Sequence, residues 1–241
     1  MLLGVILTTS DRIALCEFAG QQLAATLESF ERNGCNLKPF IVLADDGSAA
    51  CPRGPWDLIV RHTQLAGIQR SFAAAYAAVA PWCDVIWHLE DDRPLIPERC
   101  VYVPQAISAF DHDNRIGAFG LFAYWDSAQY LKLINSKGCS IIDKYKYLDL
   151  EIYILRFSEA YPWATFCFND YLIRAKIVDG TAILGRTPVH IGEIESVMAR
   201  RVRDAGFYGA YSPQLHAVAE DRDPGHSKGW TLLQEKGMRT G

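Results

Sequence analysis

The sequence lacks the features that mark several common classes of protein. Its apolar runs fall far short of the ~20 residues that span a bilayer. No run of five or more basic residues occurs in a chain of net charge −4. The seven cysteines include no C-x-x-C pair, and their number is odd. We therefore do not expect a transmembrane protein, a strong non-specific nucleic-acid binder, a zinc knuckle or a secreted disulfide framework.

The amino terminus, MLLGVILTTSDR, has no basic segment ahead of its short apolar run. It does not have the pattern of a signal peptide, and together with the cysteines it predicts a cytoplasmic protein. The 241 residues, 50% of them hydrophobic, suffice for one sizeable core, and no repeat or linker divides them. We expect a single domain over residues 1–241, with halves at 1–112 and 113–241 and a polar carboxy-terminal loop.

Hydrophobic patterns along the chain predict alternating strands and helices. The predicted strands are Leu2–Leu7, Phe40–Ala44, Leu58–Val60, Val85–Leu89, Arg115–Phe122, Lys144–Phe157 (one strand or a hairpin), Tyr171–Val178 and Phe207–Tyr211. The predicted helices are Ile13–Asn33, Gln64–Ala80, Glu98–Phe110 and Gly192–Gly206. This order is typical of an α/β fold with a mostly parallel sheet flanked by helices.

Polar or acidic residues follow three of the first four predicted strands. They are Thr8-Thr9-Ser10, Asp45-Asp46 and Glu90-Asp91-Asp92. The carboxyl ends of parallel strands meet at one edge of a sheet, and ligands of open α/β sheets bind there. The sequence therefore predicts one ligand-binding crevice formed by these three stretches.

The acidic triplet has two interpretations. Carboxylates at a strand end are suitable ligands for Mg²⁺ or Mn²⁺, and a cation would offset the repulsion between Asp91 and Asp92. The alternative is a solvated acidic turn without a ligand. Asp45-Asp46-Gly47-Ser48 is equally open, because Asp-Gly commonly forms turns and Asp or Ser often caps a helix.

Four stretches in order resemble the GT-A-fold glycosyltransferases, especially the inverting family 2 type. ILTTSDR resembles the strand that leads into the donor-binding loop, and VLADDGS resembles the family's V-D-D-G-S element. LAGIQRSFAAAYAAV resembles the helix that carries an arginine near the diphosphate. WHLEDD stands in the place of the D-x-D metal motif, with Glu90 as the first acid. The resemblance covers about the first hundred residues and implies a GT-A fold, a nucleotide-sugar donor and a divalent metal, Mn²⁺ or Mg²⁺.

The resemblance also implies roles for matching residues in the first half. The residues implied to bind the donor are Thr8, Thr9, Ser10, Arg12, Asp45, Asp46, Arg70 and Asp91. Among them, Asp46 would meet a uracil-like base and Arg70 would face the diphosphate, because a guanidinium suits phosphate oxygens. Asp92 would be the direct metal ligand, and Asp91 would lie near the ribose or the metal.

The second half resembles the family more loosely. VHIGEIESVMARRVRDAGFYG is similar to the family's helix that carries the catalytic acid, and the match to Arg201 and Gly206 places that acid at Glu195. Glu193 is the alternative, because residues two apart diverge around a helix. Both acids also suit the first turn of a helix without any catalytic role.

Later residues complete the implied site. A late histidine serves as a further metal ligand in many GT-A enzymes, and the candidates are His216 and His226. Trp125 and Asp126, in a predicted loop, are candidates for stacking against and binding the acceptor sugar. Each of these residues has an alternative, non-functional place on the surface or in the core.

The implied activity is glycosyl transfer from a nucleotide-diphosphate sugar, with UDP as the favoured nucleotide, to an acceptor hydroxyl with inversion. The sequence does not identify the acceptor, which the resemblance leaves open as a glycan, lipid-linked sugar, protein, small molecule or modified nucleic acid. A sugar-phosphate nucleotidyltransferase is one alternative, although the TTSDR loop lacks the glycines expected of that class. A non-catalytic nucleotide-sugar-binding scaffold of the same fold is the other.

Overall fold

The computed structural model describes residues 1–64, 66–121, 132, 135–158, 170–178 and 191–215. Within them, nine strands form one sheet in the order β3-β2-β1-β4-β8-β5-β9-β7-β6. The strands are β1 (Leu3–Thr9), β2 (Phe40–Asp46), β3 (Leu58–His62), β4 (Val85–Glu90), β5 (Ile116–Gly120), β6 (Ser140–Tyr147), β7 (Leu150–Arg156), β8 (Tyr171–Arg174) and β9 (Tyr208–Tyr211). The helices are α1 (Ile13–Arg32), α2 (Ile68–Val79), α3 (Val103–His112) and α4 (Ile191–Asp204).

The sheet is mixed. The first four strands are mutually parallel, with β1 between β2 and β4 and β3 outside β2. Strand β8 then pairs antiparallel with both β4 and β5, and β6 and β7 form an antiparallel hairpin. The predicted α/β class with helices packed on a sheet is confirmed. Parallel pairing joins the first four strands and also joins β5 to β9 in the second half of the chain.

Helices cover both faces of the sheet. Helices α1 and α3 pack with Val5, Leu7 and Trp87 on one face, which we call the α1 face. Helices α2 and α4 pack with Ile6 and Ile86 on the other, the α2 face. Successive strand residues point to opposite faces, so a strand buried on both sides is apolar throughout. This explains the continuous apolar run that begins the sequence.

Gly4 allows one of these helices to approach the sheet closely. A Cβ atom at Gly4 would lie 2.2 Å from Cγ1 of Val79, at the end of α2. Only a residue without a side chain fits this position of β1. The contact lets the end of α2 pack closely on the start of β1.

The bounds of several elements differ from those predicted. Helix α2 begins at Ile68 rather than near Gln64, because Gly67 has a φ of +90° that no helix allows. The Glu98–Phe110 prediction divides into a 3₁₀ turn at Pro97–Arg99 and α3. Lys144–Phe157 belongs to the β6–β7 hairpin, the second of the two alternatives. Among the described residues, none of the helices is both long enough and apolar enough to span a membrane.

Candidate functional site

The register of the parallel strands brings the three polar stretches to one edge of the sheet. Thr8 pairs with Glu90 across β1 and β4, and Thr9 pairs with Asp45 across β1 and β2. The backbone N–H of Asp91 donates to the carbonyl of Thr8 at 3.1 Å. We call this region the acidic edge and define it as residues 8–12, 45–46 and 90–92. The predicted convergence of these strand ends at one edge of the sheet is therefore present in the fold, and the binding of a ligand there stays a prediction.

Asp91 is buried within the acidic edge and fully hydrogen-bonded. Its Oδ2 accepts from the Thr9 hydroxyl at 2.6 Å and from Nε of Arg12 at 3.1 Å, and its Oδ1 accepts from Nη2 of Arg12. Burial raises the pKa of Asp91 to about 7, while Arg12 and Thr9 act in the opposite direction. A carboxylate with both oxygens occupied in this way is an anchor for the loop that precedes α1.

Asp92 differs from its neighbour because only one of its oxygens is occupied. Its Oδ2 accepts from Nη1 of Arg12 at 2.8 Å. Its Oδ1 is enclosed and has no hydrogen-bond partner among the residues that the structure describes. A buried carboxylate oxygen without a partner is costly, so Oδ1 of Asp92 could accept a ligand at this edge.

Glu90 belongs to β4 and faces away from Arg12. Side chains alternate along a strand, so Glu90 lies on the same face as His88, the α2 face. Its nearest ion-pair partner is Arg93, with 3.6 Å between Oε2 and Nη1. Burial is the main cause of a raised pKa at Glu90, against the opposing effect of Arg93. Side-chain alternation thus places Glu90 on the opposite face of the strand from Asp91, although its charge still interacts with those of Asp92 and Arg12.

Asp170 joins the acidic edge from the second half of the chain, and sequence reasoning did not identify it. Strand β8 runs antiparallel to β4 and pairs Tyr171 with His88, so the residue before β8 lies where β4 ends. Asp170 is 1% exposed, and within the described ranges its carboxylate makes no hydrogen bond of ordinary geometry, although the backbone of Glu90 is close enough to lower its pKa. Burial raises its pKa to about 7, Arg93 lowers it and Asp92 raises it. The sequence does show an acid directly before an apolar strand. It does not show the direction of β8 in the sheet, and that direction decides where Asp170 lies.

Asp46 anchors the loop in front of α2. Its Oδ1 accepts from the N–H of Ala66 at 2.7 Å and its Oδ2 from the N–H of Gly67 at 3.1 Å. Because each oxygen has a second lone pair, these bonds leave room for the predicted contact with a base. That contact stays a prediction.

Asp45 holds the turn that follows β2. Its Oδ1 accepts from the N–H of Ser48 at 3.1 Å, and its Oδ2 lies 3.1 Å from Nε of Arg61. Arg61 also donates to the carbonyl of Ser48 at 2.6 Å. Arg61, on β3, is a second residue of this region that sequence reasoning did not identify.

The remaining candidates of the first half surround these acids. The hydroxyl of Thr8 donates to the carbonyl of Leu89 at 3.2 Å. Ser10 is half-buried in the loop between β1 and α1. Arg70 is exposed in the first turn of α2, three residues after Gly67. A guanidinium that reaches solvent beside a helix amino terminus is suited to an anionic ligand.

A neutral polar cluster lies under the acidic edge on the α2 face. Nδ1 of His88 lies 3.2 Å from the Tyr76 hydroxyl, which also hydrogen-bonds the hydroxyl of Tyr171. The rings of His88 and Tyr171 stack with centroids 4.9 Å apart. Burial lowers the pKa of His88 to about 3, so the imidazole is neutral at physiological pH.

Several predicted residues cannot be placed. Trp125, Asp126, His216 and His226 lie outside the described residues. Glu193 and Glu195 occupy the third and fifth positions of α4, and only the backbone is described there. Among the side chains of α4 that the structure describes, Met198, Ala199 and Val202 pack in the core. The roles of all six candidates stay predictions.

A few carboxylate oxygens at and beside the acidic edge could bind a divalent cation. Among the described residues, no three His, Cys, Asp or Glu side chains are grouped as metal ligands. Asp92 nevertheless has one enclosed oxygen, and Asp170 two, for which the described part of the chain supplies no hydrogen-bond partner. Mg²⁺ is usually held by one or two carboxylates, with water and substrate phosphates in the other positions, and Mn²⁺ likewise suits oxygen ligands. The residues present therefore fit a cation that shares its coordination with a diphosphate.

The overall fold is similar to that of enzymes that act on nucleotide sugars. Glucosyl-3-phosphoglycerate synthase from Mycobacterium tuberculosis, in complex with UDP, matches with a TM-score of 0.51 at 13% identity, over 100% of this chain and 82% of that one. UDP-glucose pyrophosphorylase, complexed with UDP-glucose, matches with a TM-score of 0.50 at 10% identity, over 99% of each chain. A Drosophila β1,4-galactosyltransferase 7 variant, in complex with manganese, UDP-galactose and xylobiose, matches with a TM-score of 0.50 at 11% identity, over 100% and 80%.

These similarities show the fold, since each is far below 25% identity. They agree with the GT-A-like architecture expected from the sequence. They do not single out family 2, because a pyrophosphorylase and two glycosyltransferases match at nearly equal scores. No protein-family model matches the sequence, and no curated protein matches it.

Proposed function

We propose that this protein transfers a sugar from a nucleotide-diphosphate sugar to an acceptor hydroxyl, using a divalent cation held at Asp92. The observation that carries the proposal is the enclosed Oδ1 of Asp92, which has no hydrogen-bond partner in the described part of the chain and lies beside an Arg12-bonded Oδ2 where β1, β2 and β4 end together. That edge is where ligands bind in open α/β sheets. The three similar enzymes were each solved with a uridine nucleotide or nucleotide sugar, which supports a UDP-sugar donor.

The donor would bind along the acidic edge. Asp46 would accept from the N–H of the base while it holds the loop before α2. Arg70, exposed at the start of α2, would contact the diphosphate. Thr8 and Ser10 would line the pocket between these two groups. The hydrogen bonds of Asp46 fix the loop in advance, so little of the donor's binding free energy would be spent on ordering it.

Asp92 would hold the divalent cation through Oδ1, with Asp170, which is close enough for Asp92 to raise its pKa, as a candidate additional ligand. A bound Mn²⁺ or Mg²⁺ would neutralise charge on the departing diphosphate. The burial of Asp92 and Asp170 keeps bulk water from the ligand, which strengthens the electrostatic interaction between the carboxylates and a cation. The late histidines His216 and His226 stay as predicted further ligands.

A carboxylate of α4 would serve as the general base. Glu195 would take the proton from the acceptor hydroxyl as the oxygen attacks the anomeric carbon, and Glu193 is the alternative. Attack on the face opposite the leaving diphosphate would invert the anomeric centre. Trp125 and Asp126 are the proposed contacts of the acceptor, whose chemical class is open. A cytoplasmic location likewise stays a prediction.

The first experiment is a thermal-shift screen of nucleotide sugars with and without Mn²⁺. A ligand that binds only the folded state raises Tm, and we expect the largest rise for one UDP-sugar in the presence of Mn²⁺. The same pair should then give UDP and free sugar by slow hydrolysis. No stabilisation by any nucleotide sugar, with or without metal, would reject the proposal.

A matched pair of variants tests the base. Glu195→Gln should keep donor binding and lose transfer by about 10²–10⁴-fold, the usual contribution of a general base. Glu193→Gln, two positions away on the same helix, should keep both. If the two variants exchange these phenotypes, Glu193 is the base and the proposed function still stands.

A sugar-phosphate nucleotidyltransferase is the second candidate. It is favoured by the likeness to UDP-glucose pyrophosphorylase, which covers 99% of both chains. It is disfavoured by the TTSDR loop, which has no glycine between β1 and α1. Conversion of a sugar-1-phosphate and a nucleoside triphosphate into a nucleotide sugar and pyrophosphate would establish this activity. Donor binding without either reaction would indicate a non-catalytic nucleotide-sugar-binding protein.

A further inference from the structure

Arg12 occupies an unusual position between the two acids of the acidic edge. Nε and Nη2 form a fork on Asp91, and Nη1 reaches Oδ2 of Asp92 at 2.8 Å. The side chain of Arg12 is only 10% exposed, and that of Asp91 is fully buried. One guanidinium thus compensates part of the charge of both carboxylates at once.

The fork to Asp91 fixes where the third nitrogen of Arg12 points. Asp91 is held in turn by the Thr9 hydroxyl at 2.6 Å, so the guanidinium has a rigid base. Bidentate pairing of this kind sets the plane of the guanidinium as well as its distance. The positive charge beside Asp92 is therefore built into the fold and does not depend on a ligand.

We infer that Arg12 is an internal counter-cation for Asp92, which keeps the affinity for a divalent metal low until the donor's diphosphate supplies further ligands. This inference depends on the proposed function, because it concerns the same cation and the same donor. It assigns Arg12 a positioning and charge-balancing role in addition to the contact with donor that the sequence suggested.

The physical reason is charge balance. Without Arg12, two adjacent buried carboxylates would attract any divalent cation strongly, since opposite charges interact strongly where solvent is excluded. With Arg12 in place, the Asp91–Asp92 pair offers a cation one unoccupied oxygen, Oδ1 of Asp92, on a carboxylate whose charge is already shared. A nucleotide diphosphate adds negative charge and phosphate oxygens, so metal and nucleotide should bind with positive coupling.

The test is calorimetric titration of Mn²⁺ into the full chain, with and without saturating UDP. For the natural chain we expect weak binding of Mn²⁺ alone and at least about tenfold tighter binding with UDP, within the usual range of coupling between sites. Arg12→Gln should bind Mn²⁺ alone about tenfold or more tightly than the natural chain, with a smaller enhancement by UDP. Arg12→Lys, which keeps the charge but not the fork, should resemble the natural chain.

The matched control is Arg32→Gln, at the exposed far end of the same helix. It should leave both Mn²⁺ affinities unchanged. The inference is overturned if Arg12→Gln binds Mn²⁺ alone no more tightly than the natural chain. If Arg12→Gln does not fold, the titrations of the natural chain still test the inference. A Mn²⁺ affinity that is the same with and without UDP would also overturn the inference.

These outcomes are separable from failure of the proposed function. A chain that binds Mn²⁺ and UDP together, but gains no Mn²⁺ affinity on Arg12→Gln, loses only the role of Arg12. A chain that binds neither UDP nor Mn²⁺ under any condition loses the donor site itself.

Discussion

Strand β4 has two polar clusters on its two sides, and they stabilise buried groups in opposite ways. On the α1 face, Asp91 is paired with the charged Arg12 and with Thr9. On the α2 face, His88 is buried as a neutral imidazole against the hydroxyl of Tyr76. The first cluster uses charge to satisfy charge, and the second avoids charge altogether.

The difference indicates which cluster is suited to binding a ligand. The charged cluster continues from Asp91 to Asp92, where an oxygen is left without a described partner. The neutral cluster consists of rings and hydroxyls packed under α2, with His88 stacked on Tyr171. We therefore expect a ligand on the side of the Asp91–Asp92 cluster, the binding side, and regard the His88 cluster as support for the strand ends.

The largest expected effect is the loss of Asp91. Asp91→Ala would leave the Arg12 guanidinium nearly buried without its main partner, and removing one member of a buried ion pair typically costs about 3–5 kcal/mol. Urea unfolding of the metal-free protein measures this loss. Asp204→Ala, at an exposed end of α4, is the control and should change stability by no more than about 0.5 kcal/mol. A loss below about 1 kcal/mol for Asp91→Ala would mean that the charged cluster is not structural.

The next effect depends on pH and concerns His88. Burial lowers the pKa of His88 to about 3 in the folded state, below its ordinary value of 6.5. The unfolded chain therefore binds the extra proton first, so folding stability is fully present above pH 6.5 and falls as the pH drops toward 3. The slope contributed by one such proton is about 1.4 kcal/mol per pH unit.

His88→Gln isolates this slope, because it removes the titration and keeps a polar side chain next to Tyr76. As the pH falls from about 6 to about 4, the stability of the variant relative to the natural chain should increase by about 1.4 kcal/mol per pH unit. The buried acids contribute equally to both proteins and cancel in the difference. His112→Gln, on the exposed surface of α3, is the matched control. A difference that does not change with pH would mean that His88 is protonated in the fold.

Removal of the Tyr76 hydroxyl should have a smaller effect on stability. Tyr76→Phe removes the hydrogen bonds to His88 and Tyr171 while keeping the ring. The expected cost is about 1–3 kcal/mol, the range for a buried group that loses its partner. Donor binding should stay unchanged, since the cluster lies below the binding side. A loss of Mn²⁺-dependent nucleotide binding in a stable Tyr76→Phe protein would remove the distinction between the two sides.

Much of the first half of the fold could be predicted from the sequence. Strands β1, β2 and β4 are buried on both faces, so their continuous apolar runs identify them without ambiguity. Because parallel strands end at one edge, the polar residues that follow them could be placed together from the order of the strands alone. The acidic edge is a direct consequence of these two facts.

The partners of each acid could not be predicted. Arg12 and Asp91 are 79 residues apart, and the contact between them depends on the loop geometry at Asp11, whose φ is +50°. Asp170 lies at the acidic edge only because β8 runs antiparallel to β4, and strand direction leaves no local signal in an apolar run. The start of α2 likewise depended on Asp46, which binds the N–H groups of Ala66 and Gly67 from 20 and 21 residues away.

Substitution of Asp92 should have the smallest effect on stability, although Asp92 is adjacent to Asp91, for which we expect the largest. Asp92→Asn keeps the shape of the side chain, and Arg12 keeps its fork on Asp91, so we expect stability to change by no more than about 1 kcal/mol. Mn²⁺-dependent binding of UDP should nevertheless be lost, because the proposed ligand oxygen no longer carries charge. Calorimetric titration of UDP with and without Mn²⁺ measures this loss.

Asp91→Asn is the matched comparison for that experiment, since it makes the same change one residue earlier. It should lower stability by more than Asp92→Asn, because it weakens the buried fork of Arg12. If Asp92→Asn binds Mn²⁺ and UDP like the natural chain, Asp92 is not the metal ligand. The missing hydrogen-bond partner of Asp92 Oδ1 would then be a result of packing alone. Asp91 and Asp92 would differ only in how much each contributes to the stability of the fold.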